Sequence, residues 1–108
     1  MNLDINAVVT DMLLAIKGTV EGNWGKVEST ANQFLQNRKE NLELLVQLRI
    51  DGEIDQDEFD SRLADEQLVI EAELNALAVL SKAIAQNAAN AAIAILGKAA
   101  KAAISAAI

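Results

Sequence analysis

The amino-acid sequence predicts an all-α protein, a long antiparallel helical hairpin of two long helices that assembles into a multi-helix bundle. Three observations carry that expectation. The 108 residues contain no proline and few clusters of β-branched or aromatic residues, while Ala, Leu, Glu, Gln and Lys abound; this composition favours helix over strand. Apolar and small residues recur at spacings of three and four along most of the chain, which places them on one face of a helix. One well-marked turn, residues 51–55, divides the chain into arms of nearly equal length, 1–50 and 56–108. The whole, 1–108, is expected to be a single helical domain, since a chain of this size rarely supports two cores.

In the first arm the stripe runs through Val9, Leu13, Ile16, Val20, Trp24, Val27, Ala31 and Phe34, then Leu42, Leu45 and Leu48. Gly18, Gly22 and Gly25 oppose it, because each glycine inside a helix costs about 1 kcal/mol relative to alanine. They nevertheless keep the helical spacing. With Ala15 and Ser29 they make a ridge without side chains, expected to let another backbone pack closely. A break at EGNWG, residues 21–25, giving two shorter helices, is the alternative and stays open. Trp24 in that stretch is expected to be a packing anchor.

The turn is read from DGEIDQDEF, which begins at Asp51. Gly52 can take the left-handed conformation that closes a helix, and Asp55 with Glu58 three residues later has the form of a capping box. The same residues resemble the second half of an EF-hand calcium loop, with Gly52 at the sixth position and Glu58 at the twelfth. The first and third positions then fall on Gln47 and Arg49, an amide and a cation where the ion needs oxygen ligands. The expectation is therefore a structural turn, with no metal and no cofactor.

From Gln56 onward the stripe continues through Phe59, Leu63, Ile70, Leu74, Leu77, Ile84, Ala88, Ala91 and Ile95, and no strong stop appears before the end. Each arm, fully helical, would be about 75 Å long at the helical rise of 1.5 Å per residue. With the turn centred at Glu53, Gly18, Gly22 and Gly25 fall opposite Ala88, Ile84 and Ser81. The acidic stretch 56–80 falls beside 26–50, which carries Lys26, Arg38, Lys39 and Arg49.

Residues 42–63 resemble the small bacterial helical hairpins called SHOCT modules, in the order leucine-rich helix, GEI, acidic residue, EF and arginine. That likeness implies a capped helical hairpin and no particular function. The chain is also similar in length, acidity and helical build to the WXG100 group of small secreted hairpins. The defining W-x-G of that group lies at the central turn, whereas the nearest stretch here, NWG, spans residues 23–25, far from the turn.

The composition narrows function by exclusion. There is no histidine, cysteine or tyrosine, so the commonest general base, the best nucleophile and the preferred zinc ligands are missing. The remaining carboxylates read as a solvated acidic face, and a non-enzymatic role is expected. A net charge of −7 argues against nucleic acid, which requires a clustered basic face. No basic residue precedes Lys17, so no secretory signal or transit peptide is expected, and the compartment is left unspecified.

Charge is unevenly distributed. Ten of the sixteen acidic residues lie between Asp51 and Glu73, whereas residues 74–108 hold three lysines and no acid. Asp57, Asp60 and Asp65, at the acidic turn end, are the candidate surface for a protein partner. The other candidate surface is the alanine-rich end, 83–108, whose polar residues Asn87, Asn90, Lys98, Lys101 and Ser105 fall on a narrow stripe. Its apolar girth exceeds what one neighbouring helix covers, so Ala88, Ala92 and Ala99 are expected to pack closely against other subunits of a homo-oligomer. The alternative is a membrane-surface role for this amphipathic, lysine-bearing helix.

Overall fold

A computed structural model describes residues 3–107 and shows an all-α bundle. Helix α1 is Ile5–Val20 and α2 is Trp24–Ile50, joined by a single 3₁₀ turn, Glu21–Asn23. Helices α3, Gln56–Ala76, and α4, Lys82–Ala107, complete the chain. Helical backbone thus runs from Ile5 to Ile50 without coil, but it does not run straight. The molecule measures 42 × 23 × 20 Å, and the expected arms, at about 75 Å, do not fit inside it. Each arm is folded once, so the hairpin is doubled over into four helices.

The two folds of the arms have local causes. At the first, Glu21 takes φ 47° and ψ −112° and donates its amide to the Lys17 carbonyl, which ends α1. The break lies at the glycine-rich stretch, yet the residue with positive φ is the glutamate beside Gly22. At the second, Ala78 takes φ 58° and donates its amide to Asn75 O at 3.1 Å. Ser81 then starts α4, its hydroxyl accepting from the Ile84 amide at 3.2 Å. Nothing in LAVLS, residues 77–81, carries the glycine or proline that marks a stop in sequence, so the continuous second arm expected from periodicity is not what forms.

The central turn is a Schellman motif. Glu53 N donates to Leu48 O at 2.9 Å and Gly52 N to Arg49 O at 3.2 Å, with Gly52 at φ 77°; these bonds satisfy carbonyls that the end of α2 would otherwise leave unpaired. Asp55 caps α3 by accepting from the Glu58 amide at 2.8 Å. Ile54 is buried beneath the turn.

Four interfaces join neighbouring helices, α1 to α2, α2 to α3, α3 to α4 and α4 to α1, the last being the most extensive. The backbones of α2 and α4 also approach closely across the centre, while those of α1 and α3 stay further apart. Short side chains explain this short diagonal, since Ala85, Ala88, Ala89 and Ala92 of α4 are all fully buried and small residues permit close helix approach. Phe59, Met12, Ile16, Leu35, Leu42, Leu74 and Leu96 fill the remaining volume. Among the described residues no polar or charged one is buried. Trp24 is partly buried against the core.

Candidate functional site

Three surface regions bring chemistry-bearing side chains together, and each follows from how the helices pack. The first is the groove between α2 and α3. Arg38 of α2 donates to a carboxylate oxygen of Glu66 on α3, in the hairpin register expected from the turn. Their side chains are 29% and 16% exposed, and Arg38 Nε and Glu66 Oε2 are buried without hydrogen-bond partners. The pair is thus matched on one side only. Below it, Asn41, Leu44, Leu48, Arg62 and Asp65 line a shallow groove of 190 Å³. Arg62 lies 3.6 Å from Glu58, one turn earlier on α3. Leu44 and Leu68 stand 57% and 62% exposed, and Val69 is also exposed.

The second region is the acidic turn end. Asp57, Asp60 and Asp65 are all exposed. Asp60 accepts from the Gln56 amide at 2.8 Å and Asp51 from the Gln47 amide at 3.0 Å. At the two early positions of the EF-hand likeness, Gln47 therefore donates to Asp51, while Arg49 Nε donates to Gln56 Oε1 at 3.1 Å. Among the described residues no three acidic side chains converge as a metal site would require.

The third region is a cleft of 380 Å³ lying between the C-terminal half of α4 and the junction of α2 with α3. Arg49, Gln56 and Phe59 form one side, and Gly97, Ala100, Lys101, Ile104 and Ser105 the other. The helical spacing of 97, 101 and 104–105 puts these α4 residues on one face. Lys101 and Ser105 belong to the narrow polar stripe read from the sequence and are exposed; they also line this cleft because α4 folds back along α3, a consequence of the second arm's break.

The residues expected to close-pack divide into two groups. Gly18, Gly22 and Gly25 are exposed, and a side-chain carbon added at any of them would meet nothing within 4 Å. This corrects the expected glycine ridge: those faces look outward, and no backbone approaches them. Ala88 and Ala92 are fully buried and Ala99 partly so, but their neighbours belong to the same chain. Folding each arm in two gives α4 three neighbouring helices where the straight hairpin offered one. That covers Ala85, Ala88, Ala89, Ala92 and Ala100 within a single molecule, while Ala83, Ala94, Ala102 and Ala106 stay exposed. Along α4 the exposed residues are Lys82, Gln86, Asn87, Asn90, Lys98, Lys101 and Ser105, interspersed with alanines.

No family model matches the sequence, and comparisons with curated proteins and with solved structures find no significant match. Among the described residues no helix is long and apolar enough to cross a membrane.

Proposed function

We propose that this chain acts without catalysis, as a structural or interaction protein whose helical bundle associates with a second copy of itself. The observation that carries this reading is that α2 and α3 keep large apolar side chains exposed, Leu44 on α2 and Leu68 and Val69 on α3, with Leu44 lining a groove between the two helices beside the charged groups Arg62 and Asp65. An isologous interface places one patch against its own image, so it favours a patch with apolar area and both signs of charge. This face meets that requirement. The alanine-rich end, where self-assembly was expected from the sequence, is a weaker candidate because its close-packing alanines already serve the intramolecular core. A non-catalytic role is further supported by the core, which among the described residues holds no buried polar or charged residue and so no candidate acid, base or nucleophile.

Light scattering across a concentration series tests the proposal. A mass approaching twice the 11.5 kDa of the chain, reduced to the single-chain value by Leu44→Lys with Leu68→Lys, is the expected result. A wild type that stays monomeric at millimolar concentration overturns it. If that monomer instead binds anionic vesicles, the membrane-surface alternative gains support, and α4 would have to leave the bundle because its apolar side is turned inward.

A further inference from the structure

We infer that the cleft between α4 and the α2–α3 junction is a binding site for a small carboxylate with an apolar tail. The argument begins with charge. The protein carries sixteen acidic residues against nine basic ones, so a cation on its surface has many carboxylates within reach. Among the described residues the ion pairs are Arg38 with Glu66 and Arg62 with Glu58. Arg49 and Lys101, like five other basic residues, have no such partner among the described residues; these two line the same 380 Å³ cleft.

Asp51, the carboxylate nearest in sequence to Arg49, is held by a glutamine instead, and so is Asp60, one turn beyond Gln56. Asp51 accepts from Gln47 at 3.0 Å and Asp60 from Gln56 at 2.8 Å. By taking the Gln56 amide nitrogen, Asp60 fixes which end of that side chain faces Arg49, and Gln56 Oε1 accepts from Arg49 Nε at 3.1 Å. A neutral acceptor therefore orients the guanidinium without neutralising it. Its two terminal nitrogens are left for an external anion, and paired parallel donors of that kind match the two oxygens of a carboxylate. Lys101 supplies a second positive charge and Ser105, one turn further along α4, a hydroxyl.

The rest of the lining decides what is attached to the anion. Phe59, Ala100, Ile104 and Gly97 are apolar. A strongly hydrated inorganic anion would gain nothing from that surface, whereas a hydrocarbon tail of several carbons would bury against it. The volume lies within the range of small-molecule sites, about 300–1,000 Å³, which typically combine apolar walls with a few convergent polar groups. This site is separate from the α2–α3 face and does not depend on self-association.

The test uses octanoate, well below the concentration at which it aggregates, titrated into the full chain and followed by calorimetry and by backbone amide shifts in NMR. The expected result is saturable binding of one octanoate per chain, with shifts confined to residues near 49, 59 and 97–105. Arg49→Gln and Lys101→Gln should each weaken it about tenfold, the worth of a charge-assisted hydrogen bond, with unchanged helical content. Lys98→Gln, which removes an exposed charge outside the cleft lining, should leave affinity as it is. Octylammonium, with the same tail and opposite charge, should not bind there. The inference is overturned if octanoate does not saturate, if octylammonium binds equally well, or if the shifts cluster around Leu44 and Leu68, any of which would mean apolar adsorption only.

Discussion

Arg38 and Glu66 join α2 to α3 through a single hydrogen-bonded contact that leaves Arg38 Nε and Glu66 Oε2 buried and unmatched. Such a pair recovers only part of what its two charges lose on leaving water. Replacing either partner alone, by Arg38→Met or Glu66→Leu, strands the other charge and is expected to cost about 1–2 kcal/mol, less than for a fully buried pair. The double variant should be close to wild type or more stable. Denaturant unfolding of the four proteins gives the coupling, and a double variant as unstable as the sum of the singles would show that the two side chains act independently, against this expectation.

The second break makes Ala78 a position where glycine is preferred. Its left-handed backbone costs an L-residue about 1–2 kcal/mol, part of which glycine returns through its greater freedom when unfolded. Ala78→Gly is expected to raise the stability by about 0.5–1 kcal/mol. Ser81→Ala, which deletes the hydroxyl that accepts from Ile84 N, should lower it by about 1 kcal/mol. Thermal unfolding followed by circular dichroism checks both. Opposite signs would mean that residues 77–81 are part of a continuous helix.

Glu21 is the corresponding position of the first break, and its φ of 47° with ψ of −112° is a region that glycine occupies far more easily. Glu21→Gly should therefore stabilise the fold by about 0.5–2 kcal/mol, although glycine in a helix interior is normally unfavourable by about 1 kcal/mol. A measured loss of that size would indicate that α1 and α2 form one straight helix.

Distances separate the doubled hairpin from the straight one directly. Lys39 Nζ donates to Asn6 Oδ1 at 3.1 Å, so spin labels on cysteines at positions 6 and 39 should lie within about 20 Å of one another, whereas a continuous helix would hold them about 50 Å apart. Since both side chains are on the surface, labelling leaves the core intact.

Substitutions at the small residues distinguish faces turned outward from faces turned inward. Gly18→Ala, placed in a helix with open space around it, should stabilise by about 0.5–1 kcal/mol. Ala92→Glu sets a carboxylate at a site with 0% exposure and should unfold the monomer, at a cost of several kcal/mol. A folded Ala92→Glu protein of lower molar mass would move that alanine to a subunit interface.

The helical periodicity and the central turn were legible in the sequence because both rest on residue types with strong local preferences. Gly52 and Asp55 announce a stop and a start. Ala78 and Ser81 occupy structural positions equivalent to those two, down to the amide bond three residues back, yet alanine gives no sign of a left-handed conformation. The only available cue was Ser81 itself, a capping residue type within an otherwise apolar run. Once that break is missed, the fate of the alanine surface is missed with it, since the number of neighbours around α4 depends on tertiary folding. The cleft was equally hidden. Arg49 and Lys101 are 52 positions apart in the chain, and no periodic pattern relates them.

The most extensive contact in the bundle is between its first and last helices. The three turns link helices adjacent in sequence and close early, because short loops lose little entropy. The α1–α4 contact must wait for nearly the whole chain to be in place, so it is the clasp that converts a string of helical pairs into one cooperative unit. Loss of either end would therefore be felt at the far end of the sequence. A chain synthesised from its N-terminus would hold α1 without its main partner until α4 had emerged.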